Sequence, residues 1–307
     1  MEGIVIKSTG SWYIVLDAND QKYNCRLRGK FKLEGFKVTN PIAVGDKVEF
    51  IVEDVAEGTG IITGIIQREN YIIRKSPHKT GHGHIIASNI DQAILVATLI
   101  FPKTSLGFID RFLVSAEAYR IPAIIIFNKS DLYDKEILQY YQHLSHLYGM
   151  LGYKTLIISA EKETGLQEVK ALLKGKTSLL TGHSGVGKST LLNKLVPGGI
   201  QKVAEVSDFA QKGTHTTTFA EMFKVEKDTY LIDTPGIKEW GLIDIEEEEL
   251  SHFFPELRDL MGKCKFSNCT HTHEPGCEIM EAFNKGTVAA SRYESYLSML
   301  EGDDNRR

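Results

Sequence analysis

Thr177-Ser178-Leu179-Leu180-Thr181, running into Gly182-His183-Ser184-Gly185-Val186-Gly187-Lys188-Ser189-Thr190, is the stretch on which the rest of the chain turns. An apolar run, a glycine-rich loop and an amphipathic segment (Thr190 to Leu195) follow one another as strand, loop and helix. The glycines let the backbone curl so that several N–H groups point at one anion, and the helix that follows adds its positive end. In a P-loop of this form Lys188 reaches the β- and γ-phosphates, and Ser189 ligates Mg²⁺. Residues 182 to 190 are therefore expected to hold a nucleoside triphosphate. The loop by itself does not choose between adenine and guanine.

That choice is made upstream, where Asn128-Lys129-Ser130-Asp131 directly follows the apolar run Ala123 to Phe127. A carboxylate at Asp131 accepts from both N1–H and the 2-amino group of guanine, donors that adenine does not present on that edge. Asn128 is expected to bond the other side of the base, and the Lys129 stem to cover its face. Ser159-Ala160-Glu161 closes the run 155 to 158 and fits a loop that reads guanine through its backbone. Asp233-Thr234-Pro235-Gly236 closes the run 230 to 232 and fits a γ-phosphate sensor, with Asp233 holding Mg²⁺ through water and the Gly236 N–H on the γ-phosphate. A metabolic P-loop kinase is disfavoured by residues 128 to 131 and by the lack of an acceptor-substrate motif.

From Ile90 short apolar runs alternate with helical patterns. Runs at 93–97, 123–127, 155–158 and 177–181 are followed by helices at 108–120, 134–150, 165–173 and 188–196. Such alternation predicts an α/β domain with a largely parallel sheet. The order of the motifs is unusual, because the base-reading residues precede the P-loop, whereas ordinary small GTPases place them last. The G domain reads as circularly permuted, an arrangement expected to join strand 230–232 in space to strand 93–97.

Composition is that of a soluble globular protein: 307 residues, 42% hydrophobic, 25% charged, net charge −4. With no apolar stretch of membrane-spanning length and no signal-type start, the protein is expected to be cytoplasmic and not membrane-bound. Residues 1 to about 70 carry short β-type runs between Gly, Asp and Asn turns, which predicts a small β-barrel. Residues 74 to 89 are polar and aperiodic and read as a linker or loop, with 71–83 as the connector; its histidines (His78, His82, His84) fit a basic connector better than a metal site. Lys22, Arg26, Arg28, Lys30 and Lys32, interleaved with Tyr23, Phe31 and Phe36, suit phosphate neutralisation with base stacking, and equally a solvated barrel face. Glu246 to Glu249 form an acidic run. Near the C-terminus Cys264, Cys269 and Cys277 with His271 or His273 supply the ligand set of a closed structural zinc site, expected of thiols in a reducing compartment. The run Arg292 to Leu300 reads as an amphipathic helix.

The motif order, the N-terminal barrel, the segment Gly213-Thr214-His215-Thr216-Thr217-Thr218 and the C-terminal cysteines together resemble the ribosome small-subunit-dependent GTPase A family (RsgA, also called YjeQ or YloQ) over nearly the whole chain. The resemblance implies an oligonucleotide-binding (OB) barrel over 1–70, a permuted G domain over 84–243 and a mainly helical zinc domain over 244–307. It further implies GTP hydrolysis with Mg²⁺ in late maturation of the 30S subunit, rRNA contact through the barrel, and His271 as the zinc-ligating imidazole. Nothing calls for more than a monomer. Where Ras-like enzymes carry a water-positioning glutamine this chain has Ile237, which neither donates nor accepts, so slow intrinsic turnover is expected. His215, on the segment between the P-loop helix and strand 219–225, is the expected catalytic substitute, and the resemblance points to the same position. Thr216 or Thr217 would complete the Mg²⁺ shell. The rival class is a nucleotide-gated RNA-binding module in which hydrolysis is incidental.

Overall fold

The computed structural model describes residues 1–28, 40–75, 83–199, 220–234 and 245–302. Lys30, Lys32, His215, Thr216, Thr217, Gly236 and Ile237 lie outside the described residues.

Period-two alternation builds the N-terminal unit from β1 (Glu2–Ser8), β2 (Tyr13–Asp17), β3 (Lys22–Leu27), β4 (Lys47–Asp54) and β5 (Thr59–Ile65). They pair in the order β1-β2-β3-β5-β4, and β4 returns to β1, closing a barrel with only β3–β5 parallel. Val5, Val15, Phe50 and Ile62 fill its core. The basic segment thus contributes a strand that the run of charges concealed. On β3 the alternation turns Tyr23 and Cys25 inward, while Lys22, Asn24 and Arg26 face out. Tyr23 packs on Phe50 at 5.2 Å between ring centroids, so it is core and not an RNA-stacking platform. Burial, assisted by the charge of Glu53, pushes the Cys25 thiol up to about 11.

The stretch read as linker and loop instead contains a hairpin, β6 (Tyr71–Lys75) with β7 (Gly83–Ser88). Its Ile85-Ile86-Ala87 run is buried, an apolar strand too short to register beside the polar residues that precede it. The hairpin is tied to the barrel at Asp46. This fully buried carboxylate accepts two bonds of 2.6 Å from Arg68, one from the Ser88 hydroxyl and one from the Ala43 N–H.

The central sheet has the order β10 (Lys154–Ile157), β9 (Ala123–Phe127), β8 (Gln92–Ala97), β11 (Thr177–Thr181), β13 (Thr229–Asp233), β12 (Glu221–Glu226). All neighbours are parallel except β12–β13. Strand 230–232 therefore does not lie beside strand 93–97; the P-loop strand β11 pairs with both and separates them. Helices α1 (Leu106–Ala118) and α2 (Lys135–Met150) cover one face, α3 (Leu166–Leu173) and α4 (Lys188–Leu195) the other. Sandwiching makes both faces apolar, which is why Ile94 and Val96 enter one core while Ala93, Leu95 and Ala97 enter the other. At the far edge β12 pairs with β1 at Glu221 and Lys7, so the barrel continues the sheet.

The C-terminal unit consists of a 3-10 segment (Glu247–Phe253) and helices Pro255–Arg258, Glu278–Asn284 and Ala290–Leu300 around Phe254, Leu257, Ile279 and Tyr296. It is fastened to the sheet domain by buried charge. Arg292, 1% exposed, donates to Asp110 of α1 at 2.8 Å and to Glu256 at 2.6 and 3.2 Å, and stacks on Phe254. Tyr148 of α2 and Ser295 donate to the same Asp110. Among the described residues no helix is long and apolar enough to cross a membrane.

Candidate functional site

In a parallel sheet the carboxyl ends of the strands share one edge, and the loops leaving them meet there. Residues 128–131 leave β9, 159–160 leave β10, 182–189 leave β11 and 233–234 leave β13, so the four motifs converge from separate parts of the chain.

The P-loop glycines are required by contact as well as by curvature. A Cβ on Gly182 would stand 2.4 Å from the Val96 carbonyl oxygen, and one on Gly187 (φ +91°) 2.3 Å from the Asn128 amide nitrogen. Helix α4 starts at Lys188 with no side chain capping its first N–H groups, which leaves them to an anion. Val186 is buried under the loop, whereas Ser184, Gly185 and Ser189 are exposed on its outer side, with Thr190 half-buried. The His183 ring packs on Phe108 of α1, with ring centroids 3.7 Å apart and the planes tilted by 33°. Lys188 Nζ lies 2.6 Å from Asp233 Oδ1, which puts the phosphate-reaching cation and the carboxylate of the sensor at one point. Thr234 donates to the Leu180 carbonyl and anchors the sensor to the P-loop strand.

Asn128 does something that sequence reasoning missed. Its side chain, in a residue 2% exposed, donates to the Val186 carbonyl at 2.9 Å and accepts from the Ala160 N–H at 2.9 Å. One amide thus ties the phosphate loop to the guanine loop. Each of its two polar atoms keeps capacity for one more bond, enough to touch a base as well. Asp131 is exposed at the rim, and the buried Ser159 hydroxyl donates to its Oδ1, orienting the carboxylate. Ser130 N–H bonds the Ile158 carbonyl, and Lys129, at φ +65°, sends Nζ to the Phe101 carbonyl at 2.6 Å. Tyr133 is a second residue missed. Its hydroxyl donates to the Asn128 carbonyl at 2.6 Å and accepts from Leu99 N–H, holding the motif from beneath. A buried tyrosine two positions past Asp131 was the only signal available.

Ser189 and Asp233 are oxygen donors at the same edge, the hard ligands that Mg²⁺ prefers. They fit the ion that accompanies a bound triphosphate.

The C-terminal cluster brings Cys264, Cys269, His271 and Cys277 together, ligand atoms all within 4.8 Å of one another. His271 Nδ1 lies 3.6 Å from Cys264 Sγ and 3.5 Å from Cys277 Sγ, and these two sulfurs are 4.0 Å apart. Sulfurs at about 2.3 Å from a tetrahedral zinc stand about 3.8 Å from each other, so the spacing fits. His273 is exposed and turned to Thr272, outside the cluster. The surrounding loop buries little apolar surface, its Phe266 being 40% exposed, and is held largely by polar contacts. Burial works against the charge of Glu274, yet bonds from Thr270 and from the N–H groups of Thr272 and His273 keep its carboxyl well below the usual range. Tyr293 and Tyr296 donate to the carbonyls of His271 and Thr270.

Of the cations expected to meet RNA, Lys22, Arg26 and Arg28 are exposed on the barrel, but Arg26 pairs with Glu53 at 3.1 Å.

Comparison with known proteins matches two families. The one described as RsgA GTPase covers residues 65–243, and the one described as RsgA N-terminal domain covers residues 2–62. A Cytophaga hutchinsonii protein called small ribosomal subunit biogenesis GTPase RsgA is 54% identical over 307 residues, the full length of both chains. A Bacteroides thetaiotaomicron protein, small ribosomal subunit biogenesis GTPase RsgA 2, is 51% identical over 98% of this chain and 96% of its own. Among solved structures, YjeQ from Thermotoga maritima superposes with a TM-score of 0.78 at 38% identity, covering 100% of this chain and 99% of that one. YloQ, described as a circularly permuted GTPase, gives 0.75 at 30% identity over 100% and 96%.

Proposed function

The chain belongs to the RsgA GTPase family, and from that premise we propose that it hydrolyses GTP to GDP and phosphate in the biogenesis of the small ribosomal subunit. The convergence of Asn128, Asp131, Ser159 and the P-loop on one sheet edge carries the guanine reading. Asp131 accepts from guanine N1–H and the 2-amino group, Asn128 locks the base loop to the phosphate loop, and the N–H groups opening α4 receive the phosphates. Lys188 neutralises the β- and γ-phosphates, and leaves Asp233 to do so. Ser189, and Asp233 through water, would hold the Mg²⁺ that accompanies GTP, with Thr216 or Thr217 completing its shell, and the charge it would supply is that needed to offset charge developing on the transferred phosphoryl group. The Gly236 N–H meets the γ-phosphate.

With Ile237 after the sensor, the water needs another partner, and we assign it to His215. Hydrolysis is then slow until the 30S particle brings His215 to the γ-phosphate. The chain acts as a cytoplasmic monomer, its barrel meeting rRNA through Lys22, Arg28, Lys30 and Lys32, with Arg26 reduced by Glu53. Cys264, Cys269, His271 and Cys277 hold one structural zinc. Family membership does not favour the rival in which hydrolysis is incidental.

The test is multiple-turnover GTPase rate with 30S, 50S and 70S particles and without any. Stimulation restricted to 30S is expected, and a rate indifferent to all three would defeat the reading. Ribosome-stimulated turnover left intact by His215→Ala would remove that residue from the mechanism.

A further inference from the structure

Taking the small-subunit partner proposed above as given, we propose that a groove in the C-terminal unit docks a lysine- and arginine-rich protein segment of the particle, and not RNA. The charge of the chain is divided unevenly. Residues 244–307 hold 14 acidic and 7 basic residues of the 40 and 36 in the chain, which leaves 26 acidic against 29 basic in residues 1–243. The C-terminal unit is thus at −7 while everything before it is at +3. A protein that bound rRNA along its whole length would not concentrate carboxylates at one end, because each phosphate adds a further negative charge to repel.

The carboxylates border a concave surface. A groove of about 670 Å³, lined in part by Cys264, Cys269 and His271 of the cluster itself, has a volume within the range of small-ligand and side-chain pockets. Its apolar lining comes from Met261, Phe266, Tyr296 and Leu300, and Glu247, Glu248 and Glu301 line it against one cation, Lys265. Phe266 is 40% exposed there. Glu246 to Glu249, the acidic run noted in the sequence, are all exposed along the 3-10 segment that forms one wall. An apolar surface edged by carboxylates matches a segment whose aliphatic or aromatic anchor enters the groove while flanking lysines and arginines meet the acids. RNA offers the opposite sign of charge.

The full-length protein, with the photoreactive p-benzoylphenylalanine in place of Phe266, is bound to purified 30S subunits with a non-hydrolysable GTP analogue and irradiated. A cross-link to a subunit protein is expected, and Glu247→Lys with Glu248→Lys in the same chain should remove it. The double reversal should also weaken co-sedimentation of the otherwise wild-type protein roughly tenfold, with the 30S-free GTPase rate unchanged. A cross-link to 16S rRNA, to the chain's own residues or to a second copy overturns the proposal, as does reversal that strengthens binding. So does co-sedimentation without any cross-link. If the wild-type protein fails to co-sediment with 30S at all, it is the ribosomal reading that falls.

Discussion

Replacing Asn128 by alanine should weaken every nucleotide without changing which base is preferred. The truncation strands the Val186 carbonyl and the Ala160 N–H, both now satisfied at 2.9 Å beneath the surface. A buried polar group left without a partner costs about 1–3 kcal/mol, so the pair costs about 2–6 kcal/mol. Not all of it reaches the binding constant. In the free protein both loops border an open edge and can shift until water reaches the stranded groups, whereas a bound nucleotide presses them back together. If half of that penalty survives, affinity falls by about 1–3 kcal/mol, roughly 5- to 150-fold in Kd. The loss should be equal for GDP and GTP. Any bond from the Asn128 amide to N7 is lost for adenine as well as guanine, and Asp131, still oriented by Ser159, keeps the guanine preference. Equilibrium titration with fluorescent guanine and adenine nucleotides, alongside urea unfolding to show that the variant is folded, measures both quantities. A Kd within threefold of the parent, or a drop confined to the guanine-to-adenine ratio, would refute the scaffold role.

Asp131→Asn should lower guanine-nucleotide affinity at least a hundredfold and raise xanthine-nucleotide affinity, since an amide N–H matches the carbonyl that xanthine carries in place of the 2-amino group; unchanged base preference in the same titration would contradict this. Arg292→Met leaves Asp110 buried and unpaired, so denaturant unfolding should show a loss of about 3–5 kcal/mol, part of it recovered when Asp110→Asn is added. Elemental analysis should find one zinc per chain in the parent and none in Cys277→Ser, whose residues 245–302 should also be more susceptible to limited proteolysis. Equal metal content in the two would remove Cys277 from the ligand set.

Several elements were legible because their signals are local. The helix patterns predict α1 to α4 to within a few residues, and the glycines, Lys188 and the strand before them identify a P-loop without any knowledge of what surrounds it. Other readings failed where a local signal pointed two ways. Charges on Lys22, Arg26 and Arg28 obscured β3, although its alternation was present. Tyr23 was read as a stacking surface because an aromatic among cations looks the same whether it faces in or out. The hairpin at 71–75 and 83–88 was averaged away by polar neighbours.

By itself the sequence determined which chemistry is present: the loop that can wrap phosphate, the carboxylate that can read guanine, the thiols that can hold a metal and the permuted order in which they occur. Those properties reside in residue types at short spacings, where the backbone is nearly the only variable. The tertiary structure decided who stands next to whom. It placed β11 between β8 and β13, gave Asn128 two loops to join, set Lys188 on Asp233 and matched Arg292 with Asp110 across 182 residues. Such partners are selected by burial, since a polar atom removed from water must find a bond within reach, and reach is fixed only when distant segments pack.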